Sequence, residues 1–336
     1  MDADVSTPEP LEPAEPPDRP ELSVVVASHN RSLRLRWLLN ALDEQTLAAE
    51  RWEVVVCHDS GEDTENLLKG HTLAAAGRLR HARLPAGSAL PGANRNTALK
   101  LARAPVIVFT DDDCRPGPDW LANVRAAVAR HPDAVIQGPV LPDPDEEAML
   151  RSSYPRSQQF TDVPRPWAEC ANIVYPRSLL DRLGGFDEEW RVAEDTDLNR
   201  RALATGAAYV GDGGMSTYHC IEEGTLLDWL RGAARWSDLA RLVRRHPSIR
   251  RHLFARCFWK DTHALVLLAG PGLVFGRRRR LALALVLPWA AARPVRGGGP
   301  RGALRHLLEL PGWALIDLAE LAVLARASLS HRALIL

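Results

Sequence analysis

Three short runs of branched apolar residues limit what this chain can fold into: Leu22–Ser28 (LSVVVAS), the EVVVC stretch beginning at Glu53, and Val106–Phe109 (VIVF). Their apolar residues fall at successive rather than alternate positions. Successive strand side chains point to opposite faces, so such a run is covered on both sides, which is the condition of a strand in a parallel sheet flanked by helices. The segments between them carry helical spacing. Leu35, Leu38, Leu39 and Leu42 share one face of a helix that Ser32 is placed to cap, and PGANRNTALKLARAP reads as a turn and helix feeding VIVF. Pro118 stands at the start of a further helix with Leu121, Val124 and Val128 on one face, and AVIQGPV reads as another strand. This alternation predicts an α/β fold with a doubly wound, mostly parallel sheet.

Open α/β sheets bind ligands at the carboxyl ends of their strands. Here those ends are polar. The first strand runs into Ser28, His29, Asn30 and Arg31, the second into HDSGED with Asp59 and Asp63, and the third into Asp111, Asp112 and Asp113. Further on, Ala193–Gly206 (AEDTDLNRRALATG) reads as a helix with Glu194, Asp195 and Asp197 in its first turn and glycine past its end. Adjacent carboxylates repel one another unless a cation sits between them, so the triplet is either a solvated acidic turn or a cation site.

Composition narrows the classes. Lys plus Arg and Asp plus Glu number 42 each, which removes the global basic excess expected of a nucleic-acid binder. The five cysteines form no CxxC pair, so neither a disulfide framework nor a structural zinc site is expected, and a reducing compartment fits better. Residues 1–21 are acidic and Pro-rich and read as a disordered leader, the opposite of a secretory signal.

From about Leu22 to Trp236 the chain resembles the family 2 inverting glycosyltransferases of GT-A fold. The resemblance rests on LSVVVASHNR, EVVVCHDSGED, PGANRNTAL, FTDDDC, ANIVYPRSLLDRLGGFDEEW and AEDTDLNRRALATG, which occur in the family's order. It implies a nucleotide-sugar donor, UDP-linked by family habit, with dTDP and GDP open. It places Ser28, Asn30, Arg31, Asp59, Arg95, Asn96, Asp111 and Asp112 at the donor nucleotide. His58 stands where the family usually has another Asp. Asp113 and the later His219 are implied as ligands of Mn²⁺ or Mg²⁺, hard cations suited to carboxylate and phosphate oxygen. Asp195 takes the place of the general base, and its position at a helix amino terminus is expected to keep it ionised at neutral pH. Gly185, Phe186, Asp187, Glu194 and Trp236 fall on the acceptor side. Gly232 replaces the Gln of the QxxRW motif, which points to a non-processive enzyme acting on a saccharide or lipid-linked acceptor.

After about Thr225 Arg-rich stretches alternate with short apolar ones, including residues 264–275, Arg277–Arg280, residues 281–292 and residues 313–327. The first two apolar stretches make helices of only ~18 Å, against a hydrocarbon core of ~30 Å. We therefore expect a helical region, 226–336, attached at the membrane interface rather than spanning it, on the cytoplasmic face of the cell membrane. A helical subdomain packed on the catalytic core is the competing reading. The competing functions are a nucleotidyltransferase of related fold, an aspartyl-nucleophile phosphohydrolase, and a degenerate transferase serving as a membrane adaptor.

Overall fold

The computed structural model describes residues 19–87, 90–275, 284–293 and 299–336; of residues 271–275 and 299–301 only the backbone is described. The strands are β1 (Leu22–Ser28), β2 (Trp52–His58), β3 (Leu79–Arg83), β4 (Val106–Asp111), β5 (Cys114–Pro116), β6 (Val135–Gln137), β7 (Val140–Pro142), β8 (Ile173–Pro176), β9 (Tyr209–Gly211) and β10 (Thr217–His219). The helices of the first two hundred residues are α1 (Ser32–Asp43), α2 (Glu62–Gly70), α3 (Thr72–Ala75), α4 (Pro91–Leu101), α5 (Trp120–Arg130), α6 (Arg177–Leu183) and α7 (Glu194–Ala204). Beyond them come α8 (Leu226–Gly232), α9 (Asp238–Arg245), α10 (Asp261–Phe275), α11 (Leu287–Ala291) and α12 (Gly299–His331).

The central sheet has seven strands in the order β3-β2-β1-β4-β8-β6-β9. Four of its pairings are parallel, and only β8 runs antiparallel to its neighbours β4 and β6. The doubly wound, mostly parallel expectation is met. The apolar runs do what their pattern requires. Val24, Val26, Val54 and Val56 face a core built with Leu35, Leu38 and Leu39 of α1 and Leu121 and Val124 of α5. Val25, Val55, Ile107 and Phe109 face the other way, onto Ala98 of α4, Leu179 and Leu180 of α6, and Leu198 of α7.

Strand order reverses between β1 and β4, which pair in parallel with Ala27 opposite Asp111. The crevice outside their carboxyl ends is therefore the switch point of the sheet. A second, three-stranded sheet, β5-β10-β7, stands beside it, and its β5–β10 register sets His219 opposite Cys114.

Several local expectations change. Ser32 is the first residue of α1, follows Arg31 as N-cap and makes no cap bond. The acidic stretch after β2 is not all loop, because α2 begins at Glu62 and takes Asp63 into its first turn. The apolar stretch 313–327 is the middle of a 33-residue helix that contains Pro311. Residues 1–18 of the leader, Arg277–Arg280 and residues 281–283 lie outside the described residues.

Candidate active site

Ser28, Asp59, Asp112 and Asp113 are all nearly fully buried at the sheet edge. Ser28 Oγ donates to Asp112 Oδ2 at 2.7 Å, joining the end of β1 to the turn after β4. Asp59 lies 2.9 Å from His29 Nδ1 and 3.4 Å from Asn94 Nδ2. Asn30, in the left-handed region at φ 53°, donates its backbone N–H to Ser60 Oγ at 2.7 Å. His58 turns away: it is fully buried and its Nε2 lies 3.0 Å from Glu65 of α2, so the residue that departs from the family pattern is a packing group. Asp63 is exposed on α2 and joins none of these contacts.

Arg31 sits on the acidic triplet. Its guanidinium pairs with Asp113 and lies 3.5 Å from both Asp112 and Glu222. Burial and the neighbouring Asp113 charge push the Asp112 carboxyl up to about 7. Asp113 Oδ1 is buried with no hydrogen-bond donor, and His219 Nε2 is 3.4 Å away. His219 Nδ1 lies 2.9 Å from the Cys220 carbonyl, which can only accept. In the neutral ring Nδ1 therefore carries the hydrogen and Nε2 presents a lone pair to a carboxylate oxygen. Two facing lone pairs without a donor are the electronic arrangement a divalent cation completes, and Cys220 Sγ lies within the same cluster. The residues present thus fit a metal.

Arg95 is the centre of the site. It is buried on α4 and bridges Asp111 Oδ1 at 2.9 Å and Glu194 Oε1 at 2.5 Å. One guanidinium thereby ties the end of β4 to the start of α7, with its fork lying over the Phe186 ring. Next to Glu194, Asp195 accepts the Thr196 backbone N–H at 2.7 Å. Burial and the Glu194 charge push the Asp195 carboxyl well above the ordinary range, against the pull of Arg95. The helix terminus favours the charged form of Asp195, and burial and the Glu194 charge work against it.

The remaining expected residues have mixed placements. Asn96 accepts the Phe186 N–H and donates to the Phe186 carbonyl and to Glu188, all within 2.9 Å, so it latches α4 to the GGFDE loop. Gly185 has φ 71°, and a Cβ there would overlap the Asn96 amide oxygen. Phe186 packs edge-on to Phe109 of β4, while Asp187 pairs with Arg241 and Arg245 of α9. Asp197 is fully buried and held by Arg201 and His246, so it anchors α9 and is withdrawn from the cleft. Trp236 is half-buried against Trp259, which in turn meets Trp167 edge-on at 4.7 Å. Thr196 Oγ1 donates to the Trp167 carbonyl, so this indole cluster adjoins the start of α7. Sequence reasoning missed Trp167, Trp259 and Glu222. Only Glu222 carried a local signal, as an acid three residues after His219.

Residues 23–183 match the family model described as glycosyl transferase family 2. Validoxylamine A glucosyltransferase of Streptomyces hygroscopicus subsp. jinggangensis is 28% identical over 279 residues, covering 73% of this chain and 64% of that protein. Pre-mycofactocin glycosyltransferase of Mycobacterium tuberculosis is 27% identical over 263 residues, covering 74% of this chain and 52% of that protein. The chain thus spans less than two thirds of the length of either. Among solved structures, the mannosyltransferase PcManGT from Pyrobaculum calidifontis in complex with GDP-Man and Mn²⁺ superposes with a TM-score of 0.58 at 20% identity, covering 93% of this chain and 88% of that one. S. aureus TarS 1-349 in complex with UDP-GlcNAc gives 0.51 at 18% identity, over 89% and 91% of the two chains. At these identities the superpositions speak for the fold.

Proposed function

We propose that this chain, whose residues 23–183 form a glycosyl transferase family 2 domain, moves a sugar with inversion from a nucleotide-linked donor to an acceptor hydroxyl. The carrying observation is Arg95, because one buried guanidinium holds Asp111 on the donor side and Glu194 on the base side in a single constellation. The acceptor oxygen forms the new bond to the anomeric carbon as the bond to the diphosphate breaks. The diphosphate leaves with the electron pair, and the acceptor proton passes to Asp195. A carboxylate with a raised pKa is the stronger base once ionised, which suits it to that proton.

Asp59 accepts from the donor base, as a carboxylate does from an imide N–H, and Ser28 and Asn30 line the same edge. Asp113 and His219 would hold the Mn²⁺ or Mg²⁺, which when bound offsets negative charge on the departing diphosphate. The donor we assign is UDP-linked. The acceptor class we assign is a saccharide or lipid-linked saccharide, presented along the Trp236 side of α7.

The test is thermal shift with a panel of nucleoside diphosphates, with and without Mn²⁺, on wild type and Asp113→Ala. Metal-dependent stabilisation by one nucleotide, lost in the variant, supports the reading and names the carrier. A protein that melts cooperatively and responds to no nucleotide would instead be a transferase fold without a donor, the adaptor.

A further inference from the structure

α12 is apolar on both sides: Trp313, Ile316, Leu321 and Leu324 are buried against the protein, and the opposite face is rich in leucine as well. Leu304, Leu307, Leu308, Leu315, Leu318 and Leu329 fall within one sector of about 100° at 3.6 residues per turn, and their exposures run from 49 to 82%. The other side of the same helix carries Asp317 and Glu320, both fully buried. Asp317 is held by Arg293 and by Trp289 Nε1 at 2.8 Å, and Glu320 by Lys260 Nζ at 2.6 Å and His263 Nε2 at 2.9 Å. A helix on a water-facing protein surface carries polar residues on its outer face and turns its carboxylates out. Ion pairs inside and leucines outside is the arrangement of a helix whose outer solvent is hydrocarbon. The neighbouring α10 adds Leu267 and Leu268 at 48 and 47% exposure, and α11 adds Leu287 at 66%.

Charge decides what covers this face. Residues 226–336 hold nineteen Arg and Lys against six Asp and Glu, in a chain whose total is balanced. A second copy docking through the same region would set two strongly basic surfaces against each other, whereas an anionic lipid surface complements them. Among the described residues no helix is long and apolar enough to cross a membrane. We propose that α12 lies flat on an anionic bilayer, its leucine face immersed about 5–10 Å into the boundary between headgroups and acyl chains. The basic region then meets the lipid phosphates, as the negative cytoplasmic leaflet would favour. This proposal does not depend on the sugar-transfer chemistry.

The experiment is co-sedimentation of the full chain with phosphatidylcholine vesicles, with and without phosphatidylglycerol. It compares wild type with the double variant Leu308→Glu, Leu315→Glu, both positions being exposed. Wild type is expected to sediment with the anionic vesicles, to lose that association with added salt, and to bind at least about tenfold better than the variant. The assignment is overturned if wild type stays in the supernatant, or binds both vesicle types equally. It is also overturned if wild type forms a concentration-dependent dimer that the variant abolishes. A cooperative thermal melt of the same samples reports that the variant is folded, and the nucleotide-induced shift separates a failure here from a failure of donor binding.

Discussion

At the scale of single residues the site is governed by two guanidinium cations among carboxylates, Arg31 on the acidic triplet and Arg95 between Asp111 and Glu194. Asp195→Asn keeps the shape and removes the proton acceptor, so transfer is expected to fall by about 10²–10⁴-fold with the melting temperature unchanged. Near-normal turnover in a well-folded Asn variant would remove Asp195 from the mechanism. The pH dependence follows from the direction of its shift. Because burial and Glu194 raise the Asp195 pKa, activity should rise with pH through an acid limb lying above the ordinary carboxylate range. Glu194→Gln removes the like charge and leaves Arg95 with fewer partners. Both effects lower the Asp195 pKa, so the acid limb of the kcat/KM profile should move to lower pH. Arg95→Ala strands two carboxylates, and truncating one partner of such a buried network costs about 3–5 kcal/mol, readable by urea denaturation.

At the scale of elements, placement depends on a few latches. Asn96 makes three bonds to the GGFDE loop, so Asn96→Ala leaves the Phe186 N–H and carbonyl unpaired and should cost about 1–3 kcal/mol. Its activity loss should appear chiefly in KM for the acceptor, because the loop moves while Asp195 stays. The strands β1, β2 and β4 were legible because a run buried on both faces needs an apolar residue at every position. β3 was not, since its LRHAR is polar and half-buried at the sheet edge. The capping of α1 differs from the pattern as well. Ser32 satisfies the pattern of a cap, but it is the first helical residue, and the N-cap position falls to Arg31, whose guanidinium pairs with Asp113.

At the scale of the whole molecule, the carboxy-terminal helices are joined to the sheet domain by packing and by charge. Trp190 and Ala193, just before α7, share a core with Leu239 and Val243 of α9 and Leu324 of α12. Within this layer, Asp317→Ala would leave Arg293 buried beside Trp289 and Trp313 without its carboxylate. We expect a loss of about 3–5 kcal/mol, seen as an earlier change in tryptophan fluorescence on urea titration. In the sequence, Asp317, Glu320 and Arg326 interrupt the apolar stretch 313–327. The sequence did not show that the two acids point inward, because helical periodicity alone cannot say which side of a helix meets the protein.

By itself the sequence determined β1, β2 and β4, the sheet class and the acidic triplet, because each depends on the order of neighbours within about ten residues of chain. It also marked the residues that converge at the sheet edge, since strand ends in a parallel sheet fall on one side whatever packs around them. Tertiary structure alone decided their partners. It gave Arg95 to both Asp111 and Glu194, turned His58 into the core, aimed His219 at Asp113 through the β5–β10 register, and raised the Asp195 pKa by burial. The physical reason is range: strand and helix patterns are local, whereas desolvation and ion pairing depend on groups brought together from positions up to about a hundred residues apart, such as Arg95 and Glu194.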